Sequence, residues 1–202
     1  MASKGTTTPP HSTVKSPASP PAYMGTSGVK HHLVVDVVLR VMLFATALVS
    51  IIVMVTSKQT KLIPVAPGLV IPLDAKFNQS PSFIYYVAAL SVACLHSIIT
   101  GVISILALIK QKGSSTGVLC HFVILDAMLL GIMTSATGAA GAVAYIGFKG
   151  NSHTRWNKVC DIYDSFCGHV AASVALSALP SVALILLVWL SVYVLSKKIA
   201  RR

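Results

Sequence analysis

Four stretches of this chain are apolar enough to cross a bilayer, at about residues 33–57, 82–109, 118–148 and 170–195. Each is near or above the ~20 residues that a hydrocarbon core demands. Lipid offers the backbone no hydrogen bonds, so every amide must bond within its own segment and each stretch reads as a helix. The expected fold class is all-α: a four-helix transmembrane bundle over residues 31–202, preceded by a tail over residues 1–30.

Composition leaves room for little else. Charged residues make up 10% of the chain and apolar ones 54%, where an ordinary soluble domain carries roughly 25% charged residues. The net charge of +11 would suggest a nucleic-acid surface in a soluble protein. Here the basic residues are scattered over tail, loops and C-terminus, without the long basic and aromatic surface that holds a strand, so no nucleic-acid partner is expected. Lys197, Lys198, Arg201 and Arg202 follow the last span, where anionic lipid attracts them, and the bilayer itself is the expected partner.

An even number of spans puts both termini on one side. Lys4, Lys15 and Lys30 of the tail, Lys110 and Lys112 of the short connection and the basic C-terminus face one way. Lys58, Lys61, Lys76, Lys149, Arg155 and Lys158 of the two longer loops face the other, partly offset by Asp74, Asp161 and Asp164. Basic residues in short segments set orientation, which predicts cytoplasmic termini. Residues 1–30 contain no apolar run with a small-residue cleavage site, so the first span is expected to act as signal anchor. With Pro9, Pro10, Pro17, Pro20 and Pro21 among many Ser, Thr and Gly, the cytoplasmic tail is expected to be disordered.

Ionisable residues inside spans are costly, roughly 2.5 to 3.5 kcal/mol each at a helix centre. Arg40 lies in the first span and Asp126 in the third, both at a depth of roughly 10 to 12 Å if the helices start at the cytoplasmic face. Equal depth predicts an interhelical salt bridge between them. Asp36, one turn before Arg40, is the competing partner. His96 and His121 would extend the charged residues into an ion or proton pathway, although spacing places neither histidine beside the pair.

The third span repeats small residues every four positions, as Ser135/Ala139 and Gly138/Ala142. Backbones approach closely at such faces, either within one bundle or between protomers. Pro180 is expected to kink the last span.

The first outer loop is broken by Pro64, Pro67, Pro72 and Pro81 and should be extended with turns. In the second, Cys160 and Cys167 have six residues between them. An oxidising exterior joins such a pair; two free thiols or a metal site are the alternatives. His153, Asp161, Asp164 and His169 accompany them without a recognised zinc or calcium spacing, so no metal and no cofactor is expected. Arg155, Trp156 and Tyr163 are the contact candidates of this loop. No nucleophile elbow, phosphate loop, zincin motif or pocketed carboxylate pair occurs, so no catalytic residue is assigned and no enzymatic activity is expected.

With Arg40 in the first span, KQTK after it, KFNQSPSFIYYVAA leading into the second, Asp126 in the third and HTRWNKVCDIYDSFC before the fourth, the chain resembles the plant Casparian strip membrane protein-like family. The likeness runs from about residue 30 to the C-terminus. That family is in turn similar to the four-span MARVEL proteins. The resemblance implies a multi-pass plasma-membrane protein with cytoplasmic termini that forms homodimers or higher homo-oligomers and hetero-oligomers with related members, and that has no enzymatic activity. In the family, strip-forming members build an immobile membrane platform that recruits secreted wall-modifying enzymes. Arg40 and Asp126 match its intramembrane residues, and Cys160 and Cys167 its loop cysteines. Strip-formers carry an FFTQF-type signature in the first outer loop, where this chain reads VIPLDAKFNQ; the expectation is a scaffold of the "like" kind. Two rival functions stand beside it: a small channel or transporter using Arg40, His96 and Asp126, and a receptor-like binder acting through the second outer loop.

Overall fold

The structure, a computed structural model, describes residues 26–66, 68–110, 116–153 and 156–200. The tail up to residue 25 and Arg155 lie outside the described residues. Helix α1 (Thr26–Thr56) is followed by strands β1 (Lys58–Ala66) and β2 (Leu69–Lys76), a 3-10 turn (Phe77–Gln79), and helices α2 (Pro81–Ile109), α3 (Thr116–Lys149), α4 (Asp164–Leu176) and α5 (Ala178–Ile199). Four helical segments are long and apolar enough to span a membrane: His31–Thr56, Pro81–Ile109, Gly117–Lys149 and Asp164–Ile199.

Two boundaries differ from the sequence expectation. Helix α1 starts at Thr26, so Thr26–Lys30 belong to the helix and not to the tail. The last helical segment starts at Asp164, ahead of Val170, because the disulfide loop folds into its first turn. Hydropathy marks where lipid begins, whereas a helix runs on into the interface wherever its backbone bonds continue.

Each span buries one stripe and gives the rest to lipid. On α2 the buried residues Phe83, Tyr86, Leu90, Ala93, Ser97, Thr100 and Ser104 follow the three-to-four spacing of a single helix face. Leu95, Ile98, Ile99 and Val102 are exposed on the other side. Helix α1 packs against α2, α4 and α5, and α3 against α2, α4 and α5. Leu43, Ala47, Met54, Leu90, Met133, Leu184 and Leu187 fill the centre.

The last helix is interrupted at Ser177 rather than only bent. Pro180 has no N–H and cannot continue the ladder. Hydroxyls take up part of the slack: Ser181 Oγ donates to the Ser177 carbonyl at 3.0 Å and Ser177 Oγ to the Val174 carbonyl at 2.6 Å.

The loop between α1 and α2 is extended, as its prolines require, but it also pairs with itself. Strands β1 and β2 form an antiparallel hairpin with Lys58 opposite Lys76 and Ala66 opposite Leu69. Gly68 takes φ 84° at the turn, a conformation open to glycine. Each strand of a two-stranded sheet keeps one free edge, the place where a strand tolerates proline. After the last residue of α3, Gly150 takes φ 69°. A Cβ there would lie 2.9 Å from the Trp156 carbonyl oxygen, so only glycine lets the loop fold back this tightly.

Candidate functional site: a buried ion cluster across three helices

Asp36 and Arg40 stand one turn apart on α1, which puts them on one face. His96, Thr100 and Ser104 form an i, i+4, i+8 stripe on α2, and Asp126 comes from the first half of α3. The bundle brings all six together. Arg40 is only 2% exposed and Asp126 is fully buried.

The guanidinium is the hub. Arg40 Nη2 lies 3.1 Å from Asp126 Oδ2, and Nη1 lies 3.4 Å from Oδ1, the fork facing a carboxylate. Nη1 also donates to Thr100 Oγ1 at 2.7 Å, and Nε to Asp36 Oδ2 at 3.1 Å. The two candidate partners of Arg40 are therefore not alternatives; the guanidinium engages both. Ser104 Oγ donates to Asp36 Oδ2 at 2.5 Å, and the Phe122 ring centre lies 5.6 Å from Arg40 Cζ.

His96 corrects the spacing argument. Its Nε2 lies 2.6 Å from Asp126 Oδ1, because α2 and α3 run antiparallel and a residue midway along one meets a residue early in the other. Sequence spacing registers neighbours on one helix and is blind to this crossing. Asp36, Thr100 and Ser104 were legible only in part: a polar residue every fourth position on an otherwise apolar α2 is the signal that marks its inward face. His121 is exposed.

With a neutral imidazole, Asp36, Arg40 and Asp126 sum to one negative charge, and a proton on His96 brings the cluster to zero. Each charged group has a partner of opposite charge, which in a low-dielectric interior is what makes a buried charge tolerable. Among the described residues, no group of three His, Cys, Asp or Glu is arranged to hold a metal.

A second polar seam lies nearer the hairpin end. Tyr86 Oη donates to the Ser173 carbonyl at 2.8 Å, and Ser173 Oγ donates to the Ser50 carbonyl at 2.8 Å, tying α1, α2 and α4. The Ser50 hydroxyl, fully buried, has no hydrogen-bond partner among the described residues.

At the hairpin end of the bundle, Cys160 and Cys167 are joined by a disulfide. The hairpin grips the start of α4: Gln59 Oε1 accepts from the Phe166 N–H at 3.0 Å, and its Nε2 lies 3.4 Å from Asp164 Oδ1. One of the first orphan donors of α4 is thus capped by a residue more than a hundred positions away. Tyr163 is buried, its Oη donating to the Leu73 carbonyl at 3.0 Å. It holds hairpin to loop and is no free contact residue; Trp156, by contrast, is 62% exposed. Asp74, in the hairpin, accepts from Thr60 Oγ1 at 2.6 Å and lies 2.9 Å from Lys76 Nζ. The Thr60 hydroxyl first, and then the Lys76 ammonium, hold its carboxyl below the usual carboxylate range.

The small residues of α3 divide between two sides. Ala136 and Ala140 are buried against the bundle, whereas Ser135, Gly138 and Ala142 are exposed and Ala139 is half-buried. The Ser135, Gly138 and Ala142 positions therefore do not form the seam inside this chain.

Fold and cluster together define a class: a four-span helical membrane protein knitted across three helices by buried charges. The profile of the Casparian strip membrane protein domain matches residues 30–183. The chain is 48% identical to CASP-like protein 1D1 of Populus trichocarpa over 195 residues, covering 96% of this chain and 97% of that one. It is 52% identical to CASP-like protein 1D1 of Vitis vinifera over 167 residues, 82% of this chain and 80% of the relative. With CASP-like protein 1 of Panax ginseng the identity is 54% over 149 residues, 73% of this chain and 100% of the relative. No solved structure matches significantly. The chain belongs to the CASP-like family of membrane proteins.

Proposed function

We propose that this protein is a non-enzymatic oligomeric scaffold of the plasma membrane, with cytoplasmic termini, that organises a membrane subdomain and recruits cell-wall-modifying proteins to it. The observation that carries the reading is the outward face of α3. Gly131, Ser135, Gly138 and Ala142 are exposed along it at three-to-four spacing, and Cβ atoms added at Gly131 and Gly138 would meet nothing. A flat stripe of small residues lets a second helix approach closely in lipid, where packing rather than water drives association. Copies of this chain, or related members with the same stripe, are the natural occupants.

The ion cluster supports a structural role within that scaffold. Its charges are engaged with one another, which favours a lock over a relay. The disulfide-pinned loop, with Trp156 projecting from it, offers the surface for secreted partners.

The test is cysteine crosslinking in native membranes, with Cys94 and Cys120 replaced. Gly138→Cys should yield crosslinked dimers, while Ile98→Cys, on the exposed side of α2, should not. A tagged copy should also recover slowly after photobleaching. Monomer alone at both positions, with rapid recovery, would sink the scaffold reading; currents in vesicles that vanish in Asp126→Asn would replace it with transport.

A further inference from the structure

Beneath the second outer loop, the ends of α3 and α4 part to leave a groove of about 720 Å³, within the roughly 300 to 1,000 Å³ range of small-ligand pockets. Its inner end is closed where α3 and α4 approach, a Cβ on Gly141 lying 3.7 Å from Val174 Cγ1. Toward the outer face it widens: a Cβ on Gly147 would meet nothing within 4 Å. Ala144, Val170 and Ala171 form walls, and the Cys160–Cys167 loop covers the top.

Most of the groove's lining belongs to spanning segments, so its occupant comes from the bilayer. From Gly141 to Phe148 it runs about 10 Å at 1.5 Å per residue. That is a third of a ~30 Å hydrocarbon core and too short to seat a partner's spanning helix. No charged side chain lines it, and its polar side chains are Tyr145, Trp156 and Asn157. All three are exposed, placing them where headgroup meets hydrocarbon.

The mouth is basic. Lys149 directly follows Phe148, a lining residue, with its Nζ 5.6 Å from that ring centre. The Lys158 side chain passes the end of the same helix, its Cγ 3.3 Å from a Cβ built on Gly150. The acids nearby are Asp161 and Asp164; Asp164 is engaged on the hairpin side, 3.7 Å from Lys61 Nζ, which leaves Lys149 and Lys158 against Asp161 alone at the mouth. An apolar slot about 10 Å long with Lys149 and Lys158 beside its outer end fits an amphiphile with an acyl chain and an anionic group at its head.

We propose that this groove is a phospholipid site, with one acyl chain between α3 and α4 and the phosphate at Lys149 and Lys158. The test offers the purified full chain in non-ionic detergent a phosphatidylcholine carrying a photoreactive group at the end of one acyl chain, beside a diacylglycerol with the same chains. The phosphatidylcholine probe should label residues 141–148 and 166–175 over the lipid-facing side of α2. Lys149→Glu with Lys158→Glu should cut that labelling at least about fivefold, to the diacylglycerol level. Gly147→Phe, and independently Ala171→Trp on the opposite wall, should remove it by filling the groove while leaving label elsewhere unchanged. Even labelling around the bundle, equal labelling by the two probes, displacement of the phospholipid by a sterol, or occupation of the groove by a second copy of the chain would each overturn the proposal.

Discussion

The two ends of this bundle are held by different means. At one end, α1, α2 and α3 are joined by charge: Arg40 reaches Asp36 and Asp126, and His96 and Thr100 complete the shell. At the other end, the disulfide, the Gln59 cap and the Tyr163 bond to Leu73 join loop, hairpin and α4 through covalent and backbone-directed contacts. The charged end is closed and its groups are matched; the loop end leaves an open groove between α3 and α4. Charges buried in lipid tolerate few registers because a slip strands them. A tether of loop and disulfide fixes chain ends but lets the helices between them separate.

That contrast predicts unequal damage. Arg40→Leu alone leaves Asp126 and Asp36 without their counter-ion, and should cost about 3 to 5 kcal/mol. Arg40→Leu with Asp126→Leu removes one of the two stranded charges and should recover part of the loss in thermal unfolding of the detergent-purified chain. Equal destabilisation by the single and double variants would break the account of the charged end. At the loop end, Cys160→Ser opens a short closed loop, with an expected loss of about 2 kcal/mol on the chain-entropy scale. Its unfolding midpoint should fall while helix content stays the same.

Two smaller substitutions sharpen the comparison. His96→Leu takes the 2.6 Å partner from Asp126 Oδ1, and a hydrogen bond to a charged group is worth about 1.5 to 3 kcal/mol. Gln59→Ala exposes the Phe166 N–H at the start of α4, and losing a cap costs about 1 kcal/mol. Amide exchange should localise the Gln59 effect to the first turn of α4, and the His96 effect should spread across α1, α2 and α3. A global effect from Gln59 would mean the hairpin holds more of the bundle than these contacts explain.

Much of the architecture is legible from composition, because spans of apolar residues admit one backbone solution in lipid. Arg40 and Asp126 stand out for the same reason: charge is rare there and costly. What stays hidden depends on antiparallel crossings. His96 meets Asp126 and Gln59 meets Phe166 only once two distant segments are set side by side, and no local period encodes that register. The hairpin is hidden differently, since Pro64 and Pro72 argue against a strand in general but not in one whose outer edge is free. Tyr163, a contact candidate by sequence, turns inward, its hydroxyl reaching the Leu73 carbonyl in the hairpin.

The mildest expected effect is one of pH, and it belongs to the loop end. The Asp74 carboxyl sits below its usual range because the Thr60 hydroxyl and the Lys76 ammonium favour its charged form. A carboxylate lowered in the folded state adds stability that is fully present above its unfolded value, which is near 3.8, and is lost as pH falls through the folded one. The hairpin should therefore keep its protection near pH 6 and loosen toward pH 3. Thr60→Val, which removes the largest cause of the lowering, should shift that loosening to higher pH. Because Asp74 lies at the surface, the change should be confined to β1 and β2 in amide exchange. A shift of protection at the charged end on Thr60→Val would show that the two ends are not held separately after all.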